Sequence, residues 1–176
     1  SNHSSSEIEI IDYIKTLYNG VVLHSDRDVL DKKEIDIYLP ELNIGIEYNG
    51  VYWHNELYKD KMYHRDKYIE CLSNNVKLFS IYEDDWNKKR DVVKSMICNK
   101  IGTTPNRIFA RKCDVKIVNN NEDIKLFLND NHIQGYVSSS IKIGLYYCNE
   151  MVSLMTFKRG GIDCDWDLNR FCNRKF

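Results

Sequence analysis

Residues 34 to 54 read EIDIYLPELNIGIEYNGVYWH, and the rest of the chain is read outward from them. Over 34 to 39 the apolar positions alternate. Ile35, Ile37 and Leu39 fall on one face, and Glu34, Asp36 and Tyr38 on the other. Pro40-Glu41-Leu42-Asn43 reads as a turn, because proline has no N–H to give a central ladder. Alternation resumes over 44 to 48, with Ile44, Ile46 and Tyr48 against Gly45 and Glu47. The two segments predict the strands of one hairpin. If their apolar sets share a core, Asp36 and Glu47 meet on the opposite face. His54 lies at the hairpin's exit.

Two carboxylates a few ångströms apart hold a hard divalent cation through oxygen. A neighbouring imidazole can take the proton from a water. Phosphodiester hydrolysis needs both, since charge on the phosphorus oxygens must be stabilised and a water activated. Taken singly, Asp36 or Glu47 is better read as a solvated acid on a polar face.

The pattern Asp36-x10-Glu47-x-Asn49 resembles the Asp…(Asp/Glu)-x-Lys core of the PD-(D/E)XK nucleases. The continuation Asn49-Gly50-Val51-Tyr52-Trp53-His54 is similar to the very-short-patch-repair branch, which includes phage homing endonucleases of the EDxHD type. In that branch a Gly-x-aromatic-Trp-His segment follows the second strand. Its His stands 18 residues after the Asp, as 54 − 36 = 18 does here. The resemblance covers the chain from Glu7 to Met96.

It implies an α/β fold with a central mixed β-sheet flanked by helices, the restriction-endonuclease-like core. The implied activity is hydrolysis of double-stranded DNA with Mg²⁺ or Mn²⁺. Asp36 and Glu47 would be metal ligands, joined by the carbonyl of Tyr48. His54 would be the general base, and Tyr52 and Trp53 would lie against DNA. The branch also draws a Glu from its N-terminal helix; Glu7 fits best, with Glu9 the alternative. On the helix after the hairpin it places further groups, here His64, Asp66 and Lys67, with Arg65 and Lys67 at the DNA. Asn49 is the departure, because many of these nucleases have Lys there. An amide can only orient water or phosphate, so the lysine's work falls to His54, His64 or Lys67. Oligomeric state is left open, a homodimer being one option.

The alternative is a non-catalytic DNA-binding or adaptor protein on the same scaffold. Asn49 motivates it, and so does a formal net charge of −1, which excludes a global basic field. No apolar run approaches the roughly 20 residues of a membrane span. The polar, acidic start SNHSSSEIEI is no signal peptide. The six cysteines form no Cys-x-x-Cys pair and read as free thiols. A cytoplasmic protein with no membrane partner is the expectation.

Gly102-Thr103-Thr104-Pro105-Asn106 is the clearest boundary, dividing a nuclease-like domain (1–102) from a small α/β accessory module (103–176). In the first, a helix over 6–18 carries Ile10, Ile11, Ile14, Leu17 and Tyr18 on one stripe. A short strand follows at 21–23, then a charged connection in which Lys32 and Lys33 can meet phosphate. A helix over 59–74 would turn Met62, Ile69 and Leu72 inward. Val76 to Tyr82 reads as a buried strand. Glu83 to Asp85 would cap a helix whose face is Val92, Val93, Met96, Ile97 and Ile101. In the second, Arg107 to Lys112 reads as a basic, strand-like segment, with Arg107, Arg111 and Lys112 at DNA. A strand over 115–118, a helix from Asn120 or Asn121 to Leu128, and a hairpin of 141–147 with 151–157 follow. A polar stretch ends the chain soon after Arg170-Phe171, inside the module.

Asn131 to Gly135 and Gly144 to Tyr147 resemble a module appended to phage nucleases, with a distant similarity to an acyltransferase sheet. Contact with DNA is the reading for this module, and acyl-cofactor binding its alternative. His132 reads as structural.

Overall fold

The chain enters its first helix on a serine. The Ser4 hydroxyl oxygen accepts the Ser6 N–H, Glu7 sits in the first turn, and α1 (Ser5–Leu17) buries Ile10, Ile11 and Ile14. This computed structural model describes residues 4–31, 33–50 and 57–176, with the side chains of the last stretch from residue 62. The architecture is α/β, in two compact units, Ser1–Thr103 and Thr104–Phe176, each with one four-stranded sheet.

In the first unit β1 (Leu23–Asp26), β2 (Ile35–Leu39), β3 (Ile44–Asn49) and β4 (Lys77–Tyr82) lie side by side in that order. β1–β2 and β2–β3 are antiparallel and β3–β4 is parallel, so the sheet is mixed. A single 3₁₀ turn, Pro40–Leu42, links β2 to β3, and Asn43 closes it at φ 52°. Asparagine tolerates that left-handed conformation better than most residues. The parallel pair requires a crossover, which α2 (Leu57–Ser73) supplies. α3 (Glu83–Lys88) opens on three acids in its first turn. α4 (Arg90–Ile101) buries Val92, Val93, Ile97, Cys98 and Ile101, and Gly102 caps it at φ 79°. α1 packs against β2 and α4.

Several expectations are corrected. The strand read at 21–23 is β1, displaced toward Asp26 by its pairing of Leu23 with Tyr38 and Asp26 with Ile35. β4 is not a buried strand. It is the last in the sheet, and only Ile81 of it is buried. Met96 faces outward from α4. The largest correction is the phase of α2. Met62, Ile69 and Leu72 are about half exposed, while Lys67 and Cys71 are buried. At 100° per residue, 62 and 69 lie on one side of the helix and 67 and 71 on the other. Cys71 joins Leu30, Ile35, Tyr38 and Val76 in a cluster under α2. The hairpin face that carries Asp36, Tyr38 and Glu47 is therefore covered, not solvated.

In the second unit β5 (Asp114–Ile117), β6 (Ile141–Tyr147), β7 (Glu150–Arg159) and β8 (Trp166–Asn173) form an antiparallel meander. Asn120 caps α5 (Asn121–Asn131) by accepting the Glu122 N–H. α5 packs Ile124, Phe127 and Leu128 against Val118 and Leu154. Cys148 and Asn149 turn the β6–β7 hairpin, both at positive φ (51° and 64°), as a tight two-residue turn demands. Across the other face Ile117, Ile143, Met155 and Phe171 pair in a row, and Ile117 and Phe171 are exposed. Arg107 to Lys112 is not a strand; its end is a 3₁₀ turn, Ala110–Lys112. The final polar stretch contains β8. No helix among the described residues is long and apolar enough to cross a membrane.

The phase of α2 yields a paired outcome for urea unfolding. Leu72→Glu on the outward side changes stability by less than about 0.5 kcal/mol. Cys71→Leu overfills the packed side and costs about 1–3 kcal/mol.

Candidate functional site

The β2–β3 ladder runs as far as Ile37 opposite Ile46, and the strands part beyond it. Side chains then take over from the backbone. The Tyr48 N–H donates to Asp36 Oδ2 at 2.8 Å. The Asp36 N–H points to Glu47 Oε1 at 3.4 Å. Each carboxylate thus serves the main chain of the strand opposite. α2 closes the site from above: Lys67 Nζ lies 2.5 Å from Glu47 Oε2. Glu47 is 5% exposed and Lys67 3%, so this is a buried ion pair. The Tyr63 ring stands 6.0 Å from the Lys67 ammonium.

Burial sets the electrostatics. It pushes the Glu47 carboxyl up to about 7, and the charge of Asp36 adds to the effect. The Lys67 ammonium pulls the other way without cancelling burial. Burial also holds Asp36 above the usual carboxylate range, with repulsion from Glu7 and Glu34, against the Tyr48 N–H and Lys67. Two carboxyls that resist ionisation beside one cation form a centre that gains from a second positive charge.

Asp36, Glu47 and Lys67 are brought together. Glu7 is near enough to raise Asp36, and its carboxylate lies 3.1 Å from His24 Nε2 on β1. Glu9 turns elsewhere, accepting from Trp86 Nε1 at 3.3 Å and pairing with Arg90 at 3.1 Å. Asn49 is buried on β3 opposite Tyr82. His64 is one α-helical turn from Lys67 and meets the Tyr63 ring edge-on, with centroids 5.9 Å apart. Asp66 and Arg65 are exposed. Asp66 acts on Lys33, which pairs with Glu70 at 2.8 Å. The Tyr48 hydroxyl is buried near Ser6, with no partner in hydrogen-bond geometry among the described residues. Lys32, Tyr52, Trp53 and His54 lie outside the described residues. Arg107, Arg111 and Lys112 are exposed in the second unit. His24 escaped the sequence reading. Its signal is its place in a strand just before the hairpin, with no motif spacing.

Among the described residues no three or more His, Cys, Asp or Glu gather as a metal cage. Two carboxylates with a main-chain carbonyl suit Mg²⁺ or Mn²⁺, since Mg²⁺ keeps several waters and needs few protein ligands. They do not suit Zn²⁺, which takes three or four nitrogen, sulfur or carboxylate ligands. No family model, no curated protein and no solved structure matches this chain.

Two outcomes follow for folding. The folded Glu47 carboxyl keeps its proton to about 7, whereas its ordinary value is 4.5. The folded state binds more protons in that window, so the contribution of Glu47 to stability falls as pH rises through it and levels off above. Thermal melts of the wild type relative to Glu47→Gln show that fall. Lys67→Met leaves the buried Glu47 and the half-buried Asp36 without their cation. It costs about 3–5 kcal/mol at pH 8 and less at pH 5, where Glu47 is protonated.

Proposed function

We propose that this protein is a metal-dependent DNA endonuclease whose first unit is a restriction-endonuclease-like core of the very-short-patch-repair kind. The observation that carries the reading is Lys67. The ammonium missing from the strand motif at Asn49 arrives instead from α2, 2.5 Å from Glu47 and beside Asp36. A carboxylate pair with an amine is the side-chain set that phosphodiester hydrolysis calls for.

Asp36, Glu47 and the Tyr48 carbonyl would hold Mg²⁺ or Mn²⁺. That ion supplies Lewis acidity and a water of lowered pKa. Lys67, buried against Glu47 here, would donate to a phosphate oxygen and stabilise the charge that develops there. Asn49, the next inward residue of β3, can orient water. Glu7 and His24 form a second polar pair at the edge of the site. His54 keeps its role as proton acceptor, and Tyr52 and Trp53 theirs at the duplex. A homing role and a cytoplasmic setting belong to the same proposal through the family resemblance.

The test is cleavage of supercoiled plasmid with Mg²⁺ or Mn²⁺. Asp36→Ala lowers the rate by about a hundredfold or more while DNA binding persists. The wild-type rate climbs as pH rises through about 7, because Glu47 must ionise. DNA bound but uncut with either metal would turn the reading to the adaptor, which Asn49 favours. Unchanged cutting by Asp36→Ala would place the active centre elsewhere.

A further inference from the structure

The segment before β5 lies beside the β6–β7 turn and the residue after β8. Together they wall a groove of about 540 Å³ within the second unit. We propose that this groove binds unpaired nucleic acid, with an unstacked base on Phe109 and the flanking phosphates on Arg107 and Lys112.

The ring of Phe109 is 46% exposed although nothing polar on it faces water. The guanidinium carbons of Arg107 and Arg111 lie 5.8 and 5.1 Å from its centroid. An exposed aromatic ring thus has two guanidinium groups within cation–π distance of it. Lys112 and Arg174 also line the groove. Glu150 is the only acid among the lining residues, and Arg174 pairs with it at 2.6 Å. The groove is therefore locally positive in a chain whose net charge is −1. Its volume falls within the range of sites that take small organic groups, roughly 300–1,000 Å³.

Three ligand chemistries would meet these cations. An acidic peptide would use the charge and leave the ring wet. A duplex would offer phosphates, but its base faces are already stacked on one another. Only an unpaired strand offers a free base face together with flanking phosphates, which suits an exposed ring in a groove lined by Arg107 and Lys112. Phenylalanine has no hydrogen-bonding group, so stacking on it tolerates any base. The groove belongs to the second unit, and its binding does not depend on cleavage by the first.

The experiment is fluorescence anisotropy with the full chain in EDTA, so that cleavage plays no part. The probes are labelled oligodeoxythymidylate, oligouridylate and a DNA hairpin duplex of equal charge. Both unpaired strands are bound, and the tighter of the two identifies DNA or RNA as the source; the duplex probe reports binding by the first unit and does not respond to Phe109→Ala. Phe109→Ala weakens unpaired-strand binding about tenfold with the salt slope unchanged. Lys112→Ala lowers that slope by about 0.7 of a unit. Asp36→Ala binds as the wild type does. Indifference of unpaired-strand binding to Phe109→Ala, an equal loss of duplex binding in that variant, or equally good competition by polyglutamate would overturn the proposal. A loss of affinity in Asp36→Ala but not in Phe109→Ala would overturn it too, and would leave the nuclease reading standing.

Discussion

The ion pair of Lys67 and Glu47 governs the first unit. Both groups are nearly inaccessible to water, and two charges are withdrawn from solvent only when each meets a close partner. Glu47 meets Lys67 on one oxygen and the Asp36 N–H on the other. Asp36 in turn takes the Tyr48 N–H. The cluster forms where the β2–β3 ladder ends, because there the backbone leaves N–H groups for side chains to satisfy. A centre of this kind is held by the fold rather than by its own strength. Burial outweighs the ammonium in setting the Glu47 carboxyl.

α2 sits with this pair on its inner side. A helix can turn only one side to a sheet, and here that side carries Lys67 and Cys71. Met62, Ile69 and Leu72 are consequently left outward, against the usual rule for an amphipathic helix. The breach falls on the helix that brings Lys67 to the carboxylate pair. Asn49 and Lys67 describe the same fact from two sides. The strand position where the resembling nucleases carry a cation holds an amide, and a cation reaches the same carboxylate from across the sheet.

The second unit follows a plainer logic. α5 covers one face of its meander and leaves an apolar row on the other. Its polar chemistry collects at the end of the sheet where the segment before β5, the β6–β7 turn and the residue after β8 come together. That segment was legible as basic and aromatic but not as a groove wall. The other walls are about 40 and 60 residues away along the chain, and no local pattern links them.

What the sequence determined by itself was local. The hairpin of β2 and β3, with its proline turn and the shared face of Asp36 and Glu47, follows from period-two alternation and from the missing N–H of Pro40. The asparagine cap of α5 follows from groups within a few residues of each other. Tertiary structure decided the rest. β4 is half-exposed because it is an edge, and β8 was missed because an edge strand with one wet face reads as polar. The phase of α2 was out of reach because hydrophobic periodicity assumes that apolar side chains go inward. Here a buried carboxylate on another element required a cation, and the desolvation of a charge outweighs the burial of a few methylenes.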